Sequence, residues 1–99
     1  MSLYRLYLGH KKGAVTIPAS EIDAFFASHV DKVLTGYSRF DGTGVWQHQS
    51  EPTTVIEYLG EDGDSAKIGT LAKAYATQFG QEAVLVLRDR NIEAQLIEA

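Results

Sequence analysis

Residues 36–47, GYSRFDGTGVWQ, decide the fold. The stretch is rich in aromatic and β-branched side chains, so it belongs to a sheet. Asp41-Gly42 inside it allows two readings. It can make a tight hairpin turn between two short strands. It can equally mark a bulge in one long, bent strand, as glycines in strands often do. We read one bent strand. Residues 48–52 then form a loop, and residues 53–59 (TTVIEYL) a clear strand. Upstream, residues 4–10 alternate: Tyr4, Leu6, Leu8 and His10 point one way, Arg5 and Tyr7 the other. That is the period of a half-buried strand. Residues 9–13 (GHKKG) read as a polar turn.

Two helices flank this strand pair. The first begins near residues 18–23 (PASEID), with Ser20 as the expected cap and acidic residues in the first turn. Ile22, Phe25, Phe26, His29, Val30 and Val33 then form one apolar stripe, running to about Leu34. Residues 60–64 (GEDGD) are a turn, and Asp64 or Ser65 caps the second helix. Ile68, Leu71, Ala72, Tyr75, Ala76 and Phe79 share a face of it, and Gly80 closes it. Residues 83–87 (AVLVL) are continuously apolar and read as a central strand covered on both sides. Residues 92–97 read as a short extra edge strand.

The order is β-α-β-β-α-β. This is an α+β, ferredoxin-like arrangement: a four-stranded antiparallel sheet with two helices on one face. The open face would carry Tyr7, Trp46 and Tyr58. A bare aromatic sheet face usually finds a partner, so we expect a homo-oligomer, dimer or trimer, built through that face or through the edge of the tail.

Composition narrows the function. The chain has 99 residues, which suits a single domain spanning residues 1–99. It has no cysteine, which excludes disulfides, thiolate metal sites and thiol catalysis. The formal net charge of -4 and the pI of about 5.2 disfavour nucleic acid, which needs a basic face. Open-face aromatics do resemble the stacking platforms of RNA binders, but the acidity and the missing aromatic-glycine-phenylalanine motif argue against that. No apolar stretch approaches the ~20 residues that cross a bilayer, and no leader precedes the first strand. A cytoplasmic protein with no membrane partner is expected.

The chain resembles a bacterial family known only as a domain of unknown function. The resemblance rests on Leu6-Tyr7-Leu8-Gly9, Gly13, Val15, Glu21, Phe25-Phe26, Gly44-Val45-Trp46, Glu51-Pro52, Ala74-Tyr75 and the run from Phe79 to Leu85. It implies the fold and no activity. Over the last two-thirds, the segment from Tyr37 to Trp46, Glu51, and the segment from Gln81 to Val86 resemble the phage S-adenosylmethionine lyases. Those enzymes are similar to trimeric ferredoxin-like proteins with sites between subunits, so this resemblance implies an intersubunit site.

The side chains that could do chemistry are few. His10, His29 and His48 show no i+2 or i+4 pairing, so no metal site and no cofactor are expected. His29 lies on the apolar stripe and His10 ends a strand beside Lys11-Lys12, where solvation is the ordinary outcome. His48, near Trp46 and Glu51, is the best acid–base candidate. Glu57 faces wherever Val55 and Leu59 face, with Arg39 or Arg88 as the expected partner. Gly42-x-Gly44 lacks the helix and lysine of a phosphate loop. The candidate ligand-binding residues are therefore Arg39, Trp46, His48, Glu51 and Gln81. A small-molecule-binding oligomer is the first expectation. An enzyme with its site between subunits, such as an S-adenosylmethionine lyase, is the alternative.

Overall fold

The computed structural model describes residues 1–99. Strand β1 (Ser2–Gly9) is an inner strand of a four-stranded sheet. Its neighbours are β5 (Gln49–Gly60) and β6 (Leu85–Asp89), both antiparallel, and β4 (Ser38–Trp46) lies outside β5. With helices after β1 and β5, this is the ferredoxin-like arrangement. The alternation in β1 sets the layers. Tyr4, Leu6 and Leu8 pair in register with Tyr58, Ile56 and Thr54, and this row faces the helices.

The first helix has three parts: α1 (Ala19–Phe25), a π segment (Phe26–Val30) and α2 (Asp31–Val33). A π turn closes i→i+5 bonds and acts as a one-residue insertion in the stripe. Residues beyond it rotate back by one position. Leu34 is therefore buried where an unbroken stripe would place Val33, and Val33 is partly exposed. The N-cap is Pro18, with no side-chain cap bond; Ser20 lies inside α1 and does not cap it. The second helix, α3 (Ser65–Phe79), follows a short 3-10 turn (Asp62–Asp64) whose N–H of Glu61 donates to the Asp64 carboxylate at 3.0 Å. Gly80 ends α3 with φ 62, the left-handed cap that glycine adopts at least cost.

Four sequence expectations are corrected. Residues 9–13 are not a plain turn, because Lys11–Lys12 (β2) and Val15–Thr16 (β3) pair as a small ribbon. Residues 48–52 are not a loop, because β5 already begins at Gln49. The reversal is a two-residue turn at Gln47 and His48, with φ 49 and 61. The run 83–87 is not a doubly covered central strand: β6 is an edge, and Leu85 and Leu87 stand exposed on the open face. Residues 92–97 form no strand, and Leu96 and Ile97 are exposed.

The long strand 38–46 carries a consequence for function. Pairing of β1 with β5 stops at Gly9 and Thr53, whereas β4 and β5 stay paired out to Trp46 and Gln49. The end of the hairpin projects past the sheet as a two-stranded arm. Its tip bears Val45 and Trp46, the latter 72% exposed.

Candidate functional site

The open face combines apolar and charged residues. Alternation puts Leu3, Arg5 and Tyr7 of β1 there, beside Phe40 of β4, Val55 and Leu59 of β5, and Leu85 and Leu87 of β6. Tyr58 is not on this face. It stacks on Tyr4 beneath the helices, centroids 6.1 Å apart, and donates its hydroxyl to Asp64 at 2.8 Å. Glu57 does lie on the open face, but its partner is Arg5 at 2.9 Å, neither Arg39 nor Arg88. A shallow depression of about 330 Å³ lies next to this pair, between Leu3, Leu87 and Asp89.

The polar side chains converge instead at the root of the arm, where β1 runs out into β2. This junction is held on every side. Tyr75 of α3, fully buried, donates its hydroxyl to the Gly9 carbonyl at 2.6 Å. Burial, and then the negative charge of Glu51, push that phenol well above the usual tyrosine range. The His10 N–H donates to Pro52 O at 2.9 Å, and the His10 carbonyl accepts from the Ile17 N–H at 2.6 Å. The Lys11 N–H donates to Glu51 Oε2 at 3.1 Å, and the Gln81 amide donates to the Lys11 carbonyl. A Cβ on Gly9 would lie 2.7 Å from Glu51 Oε1, so a larger residue there would push the Glu51 carboxylate aside.

His10 faces the helix side, in line with Leu8. Its Nε2 is 2.7 Å from Thr54 Oγ1, and the Thr54 hydroxyl is 2.6 Å from Asp41 Oδ1. Thr54 is completely buried. Its hydroxyl, helped by Arg39, holds the Asp41 carboxyl below the usual carboxylate range. Burial pushes the His10 imidazole below the usual histidine range, against an upward pull from Asp41 and Glu51. His10 is thus a half-buried, hydrogen-bonded residue rather than the solvated strand end its lysine neighbours suggest.

The five residues nominated from sequence fall in three places. Glu51 and Gln81 meet at the arm root, both on the Lys11 backbone, and Oε1 of each carries no hydrogen bond within the chain. Trp46 and His48 sit at the arm tip, exposed. Arg39 is engaged on the helix side: it donates to Asp23 at 3.0 Å, its Nε is 3.7 Å from Asp41, and its guanidinium lies 4.2 Å over the Phe26 ring. Trp46 pairs with Gln49, two residues or about 7 Å along β5 from Glu51, and no hydrogen bond joins the tip pair to the root pair. Sequence reasoning missed the His10, Thr54 and Asp41 chain. The signal was the strand parity that set His10 in line with Tyr4, Leu6 and Leu8.

A second cleft, of about 260 Å³, lies between the β2–β3 ribbon and the helices, lined by Lys12, Ile17, Pro18, Glu21 and Phe79. No group of three or more His, Asp or Glu residues is placed to hold a metal ion. No helix is long and apolar enough to cross a membrane.

Among solved structures, a phage SAM lyase in its apo state superposes with a TM-score of 0.68 at 21% identity, over 89% of this chain and 78% of that one. The Arabidopsis thaliana protein At3g17210 superposes with a TM-score of 0.53 at 16% identity, over 97% of this chain and 100% of that one. At these identities the likeness is one of fold. No curated protein is significantly similar to the chain in sequence. The family model described as Protein of unknown function (DUF3574) matches residues 3–94, nearly the whole chain, and the chain belongs to that family.

Proposed function

We propose that the chain works as a homo-oligomer, dimer or trimer, closed over the open face of its sheet, and holds a small organic molecule where the arm of one copy meets the arm root of another. The observation that carries this is the open face itself. Phe40, Leu85 and Leu87 are 55%, 57% and 43% exposed there, arranged around one ion pair. Contiguous apolar surface of this kind marks an interaction site. The Arg5–Glu57 pair sits near its middle, and two-fold packing would set each charge against its opposite on the partner. The spread of the candidate residues points the same way. Trp46 and His48 stand exposed at the tip, placed to reach Glu51 and Gln81 at the root of a second copy. Size-exclusion chromatography with light scattering tests the assembly, and a mass of 10.9 kDa at micromolar concentration removes the reading.

A second reading, an intersubunit enzyme acting on S-adenosylmethionine, is supported by the fold likeness to the phage SAM lyase. The free Oε1 atoms of Glu51 and Gln81 would then meet the substrate. Orientation of one flexible molecule is a large part of what such a site would supply. Incubation with S-adenosylmethionine tests it, and no consumption together with no thermal shift retires it.

A further inference from the structure

We propose that His10 is an acid–base residue, taking a proton at Nδ1 from a small molecule bound at the arm root, with Thr54 and Asp41 as positioning residues behind it. The proposal rests on the reading that a ligand binds at that root, and it adds proton transfer to it. The geometry dictates which nitrogen is the base. An ionised Asp41 carboxylate can only accept, so the single Thr54 hydroxyl proton goes to it across 2.6 Å. Thr54 Oγ1 must then accept from its other neighbour, and that neighbour is His10 Nε2 at 2.7 Å. In the neutral ring the proton is therefore on Nε2, and the lone pair is on Nδ1. Nδ1 has no hydrogen-bond partner within the chain, and it is not sealed from solvent.

The backbone that carries the ring is held in place. Both backbone polar groups of His10 are bonded, to Pro52 and to Ile17, and Thr54 beneath it is buried. In the proposed step an acidic X–H bond of the ligand breaks. Its electron pair stays on the ligand and the proton bonds to Nδ1. The imidazolium keeps its Nε2–H on Thr54, and the Asp41 anion two bonds away offsets the new charge. The proton then returns to product or passes to water. The charges that act on the ring are the carboxylates Asp41 and Glu51 against the single cation Arg39. The site therefore suits a neutral or cationic acid better than an anion.

The test uses 5-nitrobenzisoxazole, a neutral probe from which a base removes the ring C–H proton while the N–O bond opens to a coloured cyanophenolate. The full-length protein should accelerate this opening, with a rate that rises as His10 loses its proton. His10→Gln should lose roughly tenfold or more, within the range general-base catalysis supplies. His29→Gln, at a histidine stacked on Phe25, should keep the rate, and Thr54→Ser should keep it where Thr54→Val does not. Asp41→Asn, on an exposed carboxylate, supplies an amide N–H that lets Thr54 donate to His10, so the tautomer should flip. Nitrogen-15 spectra should show Nε2–H in the wild type and Nδ1–H in that variant. A wild type no faster than a folded His10→Gln variant, or a neutral wild-type His10 protonated at Nδ1, overturns the proposal. A monomer that still turns over through His10 would remove the oligomer reading and leave this one. An oligomer indifferent to His10→Gln would do the reverse.

Discussion

The two faces of the sheet are built from the same strands, one residue apart, and they have opposite fates. Leu6 and Ile56, directly paired, are each 1% exposed beneath the helices. Leu3 and Leu59, paired three positions along, face the other way, and Leu59 is 42% exposed. Backbone pairing is equal on both sides, so the difference lies only in what covers each face. The helices seal one side with Phe25, Phe26, Ile68 and Tyr75. Nothing in the chain seals the other, although its side chains are nearly as apolar. A sheet apolar on both sides with a single helical cover is an unfinished core, and this is the physical ground for expecting further copies.

The largest expected effect contrasts the faces directly. Leu6→Ala removes fully buried methyl groups and should cost about 2–5 kcal/mol in urea unfolding. Val55→Ala, on the open face, should cost less than about 1 kcal/mol in dilute protein while loosening the assembly. Equal losses in dilute monomer would erase the distinction between the faces.

Next comes the grip of the helix side on the arm root. Tyr75→Phe deletes the hydroxyl that donates to Gly9 O. The loss should be about 1–2 kcal/mol, because a buried carbonyl is left without its donor. The arm tip should respond in the opposite sense. Gln47 and His48 both hold positive φ without glycine or asparagine, which favour such a turn. Replacing the pair by Gln47→Asn with His48→Gly should raise stability by about 1 kcal/mol or more. A loss instead would show that the tip is held by something beyond its own turn.

The smallest effect is a pH slope confined to the helix side. Burial sets the folded His10 imidazole below the usual value of about 6.5. The unfolded chain therefore binds the proton first. The contribution is complete above about pH 6.5 and is lost as pH falls through the lower, folded value. Urea unfolding from pH 7.5 to 5 should show that decline, and His10→Gln should flatten it.

Much of the architecture is legible in the sequence, because strand parity and helix spacing are local patterns. Residues 4–8, the stripe of α3 and the single long strand through Asp41-Gly42 all follow from them. The misreadings have specific causes. The hairpin turn falls on Gln47-His48, two residues with no turn chemistry, so residues 48–52 look like loop. The run 83–87 reads as central because its outward leucines are apolar, and that apolarity belongs to the open face. The π segment exchanges Val33 for Leu34 through hydrogen-bond geometry that spacing does not encode. Of the candidate site, the meeting of Glu51 and Gln81 on Lys11 is not legible, since residues 40 and 70 positions from Lys11 supply the bonds. Parity alone sets His10 on the helix face, where the structure has it. Its partner Thr54 lies 44 positions away, and only the paired strands bring the two together.

The most direct measurement is the mass of the native protein in solution, taken by light scattering across micromolar concentrations, beside a Val55→Lys variant. A whole multiple of 10.9 kDa for the native chain, collapsing to 10.9 kDa when a charge is planted on the open face, is the result predicted. A native chain that scatters as 10.9 kDa throughout, with its open face left to water, contradicts it.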